Sequence, residues 1–303
     1  MTMNRIRLVE NLRAVGYAPF YLCLAGGFWQ REGLDVEVIT APATAGTPRL
    51  LLSGKADAAW GGPMRVMMHH DADPACGLVC FGQAVARDPF VLVGRHAKPD
   101  FHFRDLAGLT VGVATDVPTP WMTFQDDLGR AGFDPSALRR APYRPMAENA
   151  AAFAAGAMDV VQLFEPHVDR LVQAGIGHVW HRFTDRGDIG YTTLVATRDT
   201  LRTRREAMIR LVKGFAAALA ALHRATPQEI ASALAGFFPE LAQEQLARMT
   251  SAYRAVALWP TTPDLPPSSF VRLKAALLSG GLIARDIPYD AAVDAALSSA
   301  DPH

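Results

Sequence analysis

The chain is poor in cysteine: of 303 residues, only Cys23, Cys76 and Cys80 carry a thiol. An odd count with one wide separation gives no disulfide framework, and Cys76 and Cys80 read as reduced core residues. His69 and His70 stand beside them in sequence, but the spacing matches no standard zinc pattern. His178-x-x-His181 is equally weak, so no metal is expected. An excess of one charge is also absent, since Lys plus Arg and Asp plus Glu each total 30. The basic run Arg202-Thr203-Arg204-Arg205 falls on an expected helix and reads as a solvated face, which argues against a nucleic-acid partner. Long apolar runs are missing as well. Phe215 to Leu222 is Ala-rich, flanked by Lys213 and Arg224, and well short of the roughly 20 residues that span a bilayer, so stable membrane insertion is not expected. The first ten residues hold two arginines and pass into a strand without a leader's apolar core, and Met1-Thr2-Met3-Asn4 reads like a natural start. Gly-x-Ser-x-Gly, Walker and dinucleotide fingerprints do not occur.

What is present is a globular composition, 50% hydrophobic and 20% charged, on a chain long enough for two domains. Within it a tetrad occurs twice. Gly54-Lys55-Ala56-Asp57 precedes Ala58-Ala59-Trp60, and Gly156-Ala157-Met158-Asp159 precedes Val160-Val161. Upstream of each copy lies a second shared phrase, Gly33-Leu34-Asp35-Val36-Glu37-Val38 or Gly108-Leu109-Thr110-Val111-Gly112-Val113, in which Gly-Leu feeds an alternating Val strand. The spacing implies two α/β units of similar design, offset by 75 to 102 residues. Two such lobes leave a cleft between them, and interdomain clefts favour small-molecule binding.

The periodicity predicts strand Ile6–Val9, a helix from Pro19 to Arg31, strand Leu34–Ile39, a helix from Pro48 capped by Thr47, and strand Ala56–Trp60 ending at Gly61-Gly62-Pro63. Leu78–Gln83 and Phe90–Val93 are further strands. The second unit is expected as strand Val111–Val113, a helix capped by Thr119 and reaching Gly132, helix Ala147–Ala155, and strand Val160–Phe164. Thr192–Ala196 is the expected return strand, followed by helix Glu206–Leu222 with Met208, Leu211, Val212 and Phe215 on one face. Helices Pro227–Phe237, Ala242–Ala257 and Pro267–Ser279 complete the pattern. Alternating strands and helices imply a mainly parallel sheet in each lobe.

Several phrases together resemble a known family. They are Tyr17-Ala18-Pro19-Phe20-Tyr21 through Gly27-Phe28-Trp29, Glu32-Gly33-Leu34-Asp35-Val36, Ser53-Gly54-Lys55-Ala56-Asp57, Asp105-Leu106-Ala107-Gly108, Ala131-Gly132-Phe133-Asp134-Pro135, and Gly156 through Pro166. In this order they resemble the periplasmic solute-binding proteins of ABC transporters, in the branch of the sulfonate, taurine and nitrate binders and the thiamine-pyrimidine-precursor (NMT1/THI5-like) proteins. The resemblance implies a periplasmic binding protein type II-like α/β fold: two lobes, a cleft and a helical C-terminal tail. Lobe 1 would take residues 1–86 plus 193–303 and lobe 2 residues 87–192, with crossovers near Val85–Pro89 and Gly190–Thr193. It further implies a small-molecule ligand at the strand C-terminal ends, closure by a hinge movement, an ABC transporter permease as partner, a periplasmic address and no cofactor. With no leader visible at the start, a cytoplasmic address stays open.

Four loops follow a strand and open a helix. Tyr17 and Phe20 in the first either stack on a ligand ring or pack internally. Trp60, Gly61 and Gly62 offer a ring and backbone amides, with Arg65 one turn further on. Val117 and Thr119 mark a helix N-terminus whose amides and dipole suit an acidic group, and Glu165 follows the Val160–Phe164 strand. Four candidate aromatics, Tyr17, Phe20, Trp60 and Trp121, against one carboxylate favour an aromatic or heterocyclic ligand over taurine or nitrate, with a sulfonate-like oxyanion second. No catalytic residue is expected. The alternative is a cytoplasmic enzyme on the same fold, of desulfinase, decarboxylase or pyrimidine-precursor-synthase type. Against it, the reactive Lys and His positions of the synthase relative fall on Gly61 and Arg65, its cysteine-rich motif is absent, and Cys23 lies on the first helix rather than at its tip.

Overall fold

The computed structural model describes residues 4–41 and 43–298 and divides into two compact units. Unit 1 takes residues up to Arg87, Asp188–Lys274 and residues from Ile283 onward; unit 2 takes Asp88–Gly187 and Ala275–Leu282. The segment 275–282, which the sequence pattern leaves with the C-terminal tail of lobe 1, therefore groups with unit 2.

The first stretch of unit 1 runs β1 (Asn4–Glu10), α1 (Ala18–Ala25), α2 (Phe28–Arg31), β2 (Leu34–Thr40), α3 (Thr47–Leu52), β3 (Ala58–Gly61), α4 (Pro63–Ala72) and β4 (Leu78–Val85). Unit 2 runs β5 (Val91–Gly94), β6 (Thr110–Gly112), α5 (Thr119–Arg130), β7 (Arg139–Arg140), α6 (Met146–Ala154), β8 (Val160–Leu163), α7 (His167–Gln173) and β9 (His178–Arg182). The chain returns to unit 1 through β10 (Thr192–Thr197), α8 (Arg198–Thr203), α9 (Arg205–Arg224), α10 (Pro227–Leu234) and α11 (Gln243–Ala255), and continues into α12 (Pro267–Ser279). The helix expected over Pro19–Arg31 is broken in two. Gly27 takes a left-handed φ of 64°, which a glycine adopts without a Cβ clash, and the chain restarts as α2.

Each unit holds a five-stranded sheet, in the orders β2-β1-β3-β10-β4 and β7-β6-β8-β5-β9. In the first, β10 runs antiparallel to β3 and β4; in the second, β5 runs antiparallel to β8 and β9. The remaining strands of each sheet are mutually parallel, as expected for strands linked by helical crossovers.

The repeated tetrad has one structural meaning in both units. Gly54 follows the end of α3 and Gly156 the end of α6, with φ of 67° and 90°. The amides of Gly54 and Lys55 reach back to the Leu51 and Leu50 carbonyls, and those of Gly156 and Ala157 to Phe153 and Ala152. This is the Schellman arrangement at a helix C-terminus. Each closing aspartate then ties its strand to the strand beside it. Asp57 donates its amide to the Arg7 carbonyl and accepts the Arg7 amide on Oδ2 at 2.8 Å; Asp159 does the same with Thr110, at 2.7 Å.

The core of unit 1 is aromatic where α1 and α9 meet the sheet. Phe20 stacks on Trp60 with centroids 4.3 Å apart and on Phe215 at 4.7 Å. Trp29 donates its indole N–H to the Leu211 carbonyl, and a Cβ on Gly214 would meet its ring at 2.6 Å, so the close crossing of α2 and α9 depends on that glycine. The basic run near residue 204 is not only a solvated face: Arg204 reaches Asp57, just ahead of the central strand β3, at 2.9 Å. In unit 2, Phe124 and Phe183 pack edge-on beside the largely covered Arg186, which is paired with Asp88 and Asp127.

Candidate functional site

At the C-terminal end of the unit 1 sheet, side-chain alternation sorts residues to two faces. Glu10 points to the α1 side, where its carboxylate accepts the Tyr21 hydroxyl at 2.6 Å, Thr40 Oγ1 at 3.1 Å and Arg13 Nη2 at 3.0 Å. That clamp fixes the loop that follows. Asn11, the next residue, points to the α3 side, where its Oδ1 lies 3.4 Å from Thr47 Oγ1. Gly61 ends β3 on the same side, and Gly62 is the N-cap of α4. Arg65 stands one turn into α4.

These residues, Asn11, Thr47, Gly61, Gly62 and Arg65, line one small cavity of about 20 Å³ closed below by Leu51 and Val66. That is room for about one water. The Tyr17 hydroxyl joins the edge of this cluster through Thr192 and Asn11, and burial raises its pKa. Burial also pushes the Arg65 guanidinium below the usual arginine range, with the Tyr17 hydroxyl opposing the shift. A half-buried cation at the N-terminus of a ten-residue helix, ringed by a hydroxyl and an amide side chain, is an arrangement suited to an anion.

Of the residues expected from sequence, Gly61, Gly62 and Arg65 come together in this cluster, with Tyr17 at its edge. Trp60 and Phe20 do not. Both are fully buried and stacked on each other, because the alternation that turns Gly61 towards α4 turns Trp60 into the α1–α9 core. Their faces are therefore occupied by protein rings. Trp60 Nε1 has no hydrogen-bond partner among the described residues. Asn11 and Thr47 are the residues that sequence reading missed. A polar residue immediately after a core strand, and a Thr at a helix start, were the available signals. Thr47 is the first helical residue, not the cap, and its side chain is committed to Asn11.

In unit 2, Val117 lies in the half-buried turn ahead of α5. Thr119 is buried at the first position of α5, whose cap residue is Pro118; it makes no side-chain cap bond, and its carbonyl accepts Thr123 Oγ1. Glu165 is buried after β8, joined to Pro166 by a cis peptide, and its Oε2 accepts the Asp169 amide at 2.8 Å. Gln162, one residue before the end of β8, accepts the Ala114 amide and donates to the Pro120 carbonyl, both at 3.1 Å. Cys23 is fully buried on α1 and burial holds its thiol well above the ordinary range, so it is not poised as a nucleophile. Among the described residues no group of three or more His, Cys, Asp or Glu is placed to hold a metal ion, and no described helix is long and apolar enough to cross a membrane.

Comparison with known proteins gives the family and the fold. The family described as NMT1/THI5 like matches residues 15–230. Over 295 residues the chain is 25% identical to YtlA of Bacillus subtilis strain 168, named as a candidate binding protein, covering 97% of this chain and 88% of YtlA. The periplasmic aliphatic sulphonate binding protein SsuA of Escherichia coli superposes with a TM-score of 0.77 at 17% identity, over 95% of this chain and 96% of that one. A mutant of DSZB in complex with biphenyl-2-sulfinic acid superposes with a TM-score of 0.68 at 13% identity, over 98% of each chain. The solved structures give the fold, that of the periplasmic binding proteins. Its matched stretch running through both units, the chain belongs to the NMT1/THI5-like family.

Proposed function

We propose that the protein is the solute receptor of an ABC-type importer and binds a small organic oxyanion of the sulfonate type without chemically altering it. The single observation that carries this is the Arg65 cluster: a half-buried guanidinium beside Gly61-Gly62, with Asn11 and Thr47 lining the same cavity, which has room for one oxygen of the anion, and the Tyr17 hydroxyl at its edge. A guanidinium together with helix amides recognises the planar face of a sulfonate, carboxylate or nitrate oxygen set. The burial of Trp60 and Phe20 removes the main support for ring stacking, so the anionic group, not an aromatic ring, is the recognised feature. The SsuA and DSZB ligands, a sulphonate and a sulfinic acid, are sulfur oxyanions, which supports the same class. The receptor would act outside the cytoplasm with a permease as its partner.

The test is a thermal-shift screen of alkanesulfonates, arylsulfonates, nitrate and neutral heterocycles, with mass spectrometry of each hit after incubation. A ligand binding only the native state at a hundredfold excess over Kd stabilises by about 2.7 kcal/mol. A sulfonate that raises the melting temperature and is recovered intact supports the reading. Stabilisation by neutral heterocycles alone, or conversion of the hit, overturns it.

A further inference from the structure

Unit 2 carries a second basin that the Arg65 cluster does not account for. It holds about 500 Å³ and runs along the edge strand β7, lined among others by Thr115, Ser136, Leu138, Arg140 and Tyr143. That volume lies within the range of small-molecule sites. Arg140 is fixed at its wall: its guanidinium sits over the Trp121 ring, 4.6 Å from the centroid. A stacked guanidinium keeps its edge donors available while its orientation is set. Arg139 and Arg144 flank it in sequence, so local charge is positive. The nearest acid in sequence, Asp134, uses its two oxygens on the Ser136 amide and hydroxyl, at 2.9 and 2.8 Å. Tyr143 is 72% exposed, an apolar ring left in solvent at the mouth of a charged basin. Thr115 gives its hydroxyl to the Arg144 carbonyl at 3.3 Å, which ties the Tyr143 segment to the end of β6.

We propose that this basin is a second binding site, taking a flat organic anion whose acidic group meets Arg140 and whose ring lies on Tyr143. A fixed cation and an exposed ring on one wall recognise both halves of such a molecule; neither an inorganic anion nor a neutral ring would engage both. The site is independent of the Arg65 reading, because all of its residues belong to unit 2.

The test uses the full chain carrying Arg65→Ala, so that occupancy of the first cluster cannot be read as occupancy of the second. Benzenesulfonate is titrated while the Trp121 indole N–H is followed by nitrogen–proton correlation NMR, its signal assigned with Trp121→Phe. We expect a saturable shift, at least tenfold weaker binding in Arg140→Ala, and unchanged binding in Arg139→Ala, whose exposed side chain does not line the basin. Methanesulfonate and benzyl alcohol, which carry the anion or the ring alone, should each bind at least tenfold more weakly. A Trp121 signal unmoved by benzenesulfonate, an unaltered titration in Arg140→Ala, or equal binding of methanesulfonate overturns the proposal. None of these outcomes bears on the Arg65 cluster, which is absent from the tested chain.

Discussion

Unit 1 and unit 2 use the same turn to reach different ends. In both, a helix closes on a left-handed glycine, an aspartate laces the next strand to its neighbour, and a large side chain stands third in that strand. In unit 1 that third residue is Trp60, stacked in an aromatic core; in unit 2 it is Gln162, joined to the Ala114 amide and the Pro120 carbonyl. The next strand positions diverge as well, to Gly61-Gly62 in one unit and Leu163-Phe164 in the other. The repeated motif is thus scaffold, and the two units part company in the two or three residues after it.

The difference in what each aspartate holds gives the largest expected effect. Asp57 accepts the Arg7 amide, two contacts from the Arg7 guanidinium at 3.2 and 3.1 Å, and Arg204 at 2.9 Å. Asp159 accepts the Thr110 amide. Asp57→Ala should destabilise by about 3 kcal/mol and Asp159→Ala by about 1–2 kcal/mol, measured by denaturant unfolding. Equal losses would mean that the charge pairs on Asp57 contribute nothing beyond the backbone tie.

A smaller contrast is expected one strand step further on. Gln162→Leu leaves the buried Ala114 amide without its partner, while the Pro120 carbonyl keeps the Thr123 hydroxyl, and should cost about 2 kcal/mol. Trp60→Phe keeps a ring on Phe20 and removes a buried donor that has no partner, so its cost should be about 1 kcal/mol or less. A Trp60→Phe loss exceeding that of Gln162→Leu would show that the cavity left beside Tyr17 and Tyr21 outweighs the relief of the unpaired donor.

The smallest effect concerns acid. Burial lowers the pKa of His167 and His181 in unit 2, and of His69 in unit 1. The unfolded chain therefore takes up these protons first, and stability falls as pH drops from about 6.5 towards the folded values, by at most about 1.4 kcal/mol per histidine per pH unit. Asp57 behaves differently. Burial alone would raise its pKa, but Arg7 and Arg204 together lower it, so its stabilisation is lost only below the ordinary aspartate range near 3.8. Unit 2, with two such histidines, should loosen first on acidification. His181 packs edge-on to Phe103 and Phe183, so His181→Phe should flatten the fall in melting temperature between pH 6.5 and 5. An unchanged slope would exclude His181 as its source.

Much of the scaffold was legible because it rests on local chemistry. The Gly-x-x-Asp tetrads, the alternating Val strands and the amphipathic α9 are patterns that backbone geometry alone imposes. The elements missed in sequence lack such a pattern. The strand β7 is two arginines, and β9 reads His-Val-Trp-His-Arg without alternation; both are edge strands placed by their neighbours. The site was half legible. Arg65 and the Gly61-Gly62 pair were visible as a helix start after a strand, whereas the sidedness of Trp60 depends on register, and one residue's step along the strand decides core against solvent. Asn11 and Thr47 meet across 36 residues, a pairing that no local pattern encodes.

If the ligand is held as proposed, recognition belongs to the Arg65 side of β3 and not to its Trp60 side. Calorimetric titration of the best sulfonate hit into three chains tests it: the parent, Arg65→Ala and Trp60→Phe. Affinity should fall roughly ten- to a hundredfold in Arg65→Ala and stay within about twofold of the parent in Trp60→Phe. Affinity kept in Arg65→Ala and lost in Trp60→Phe would contradict it.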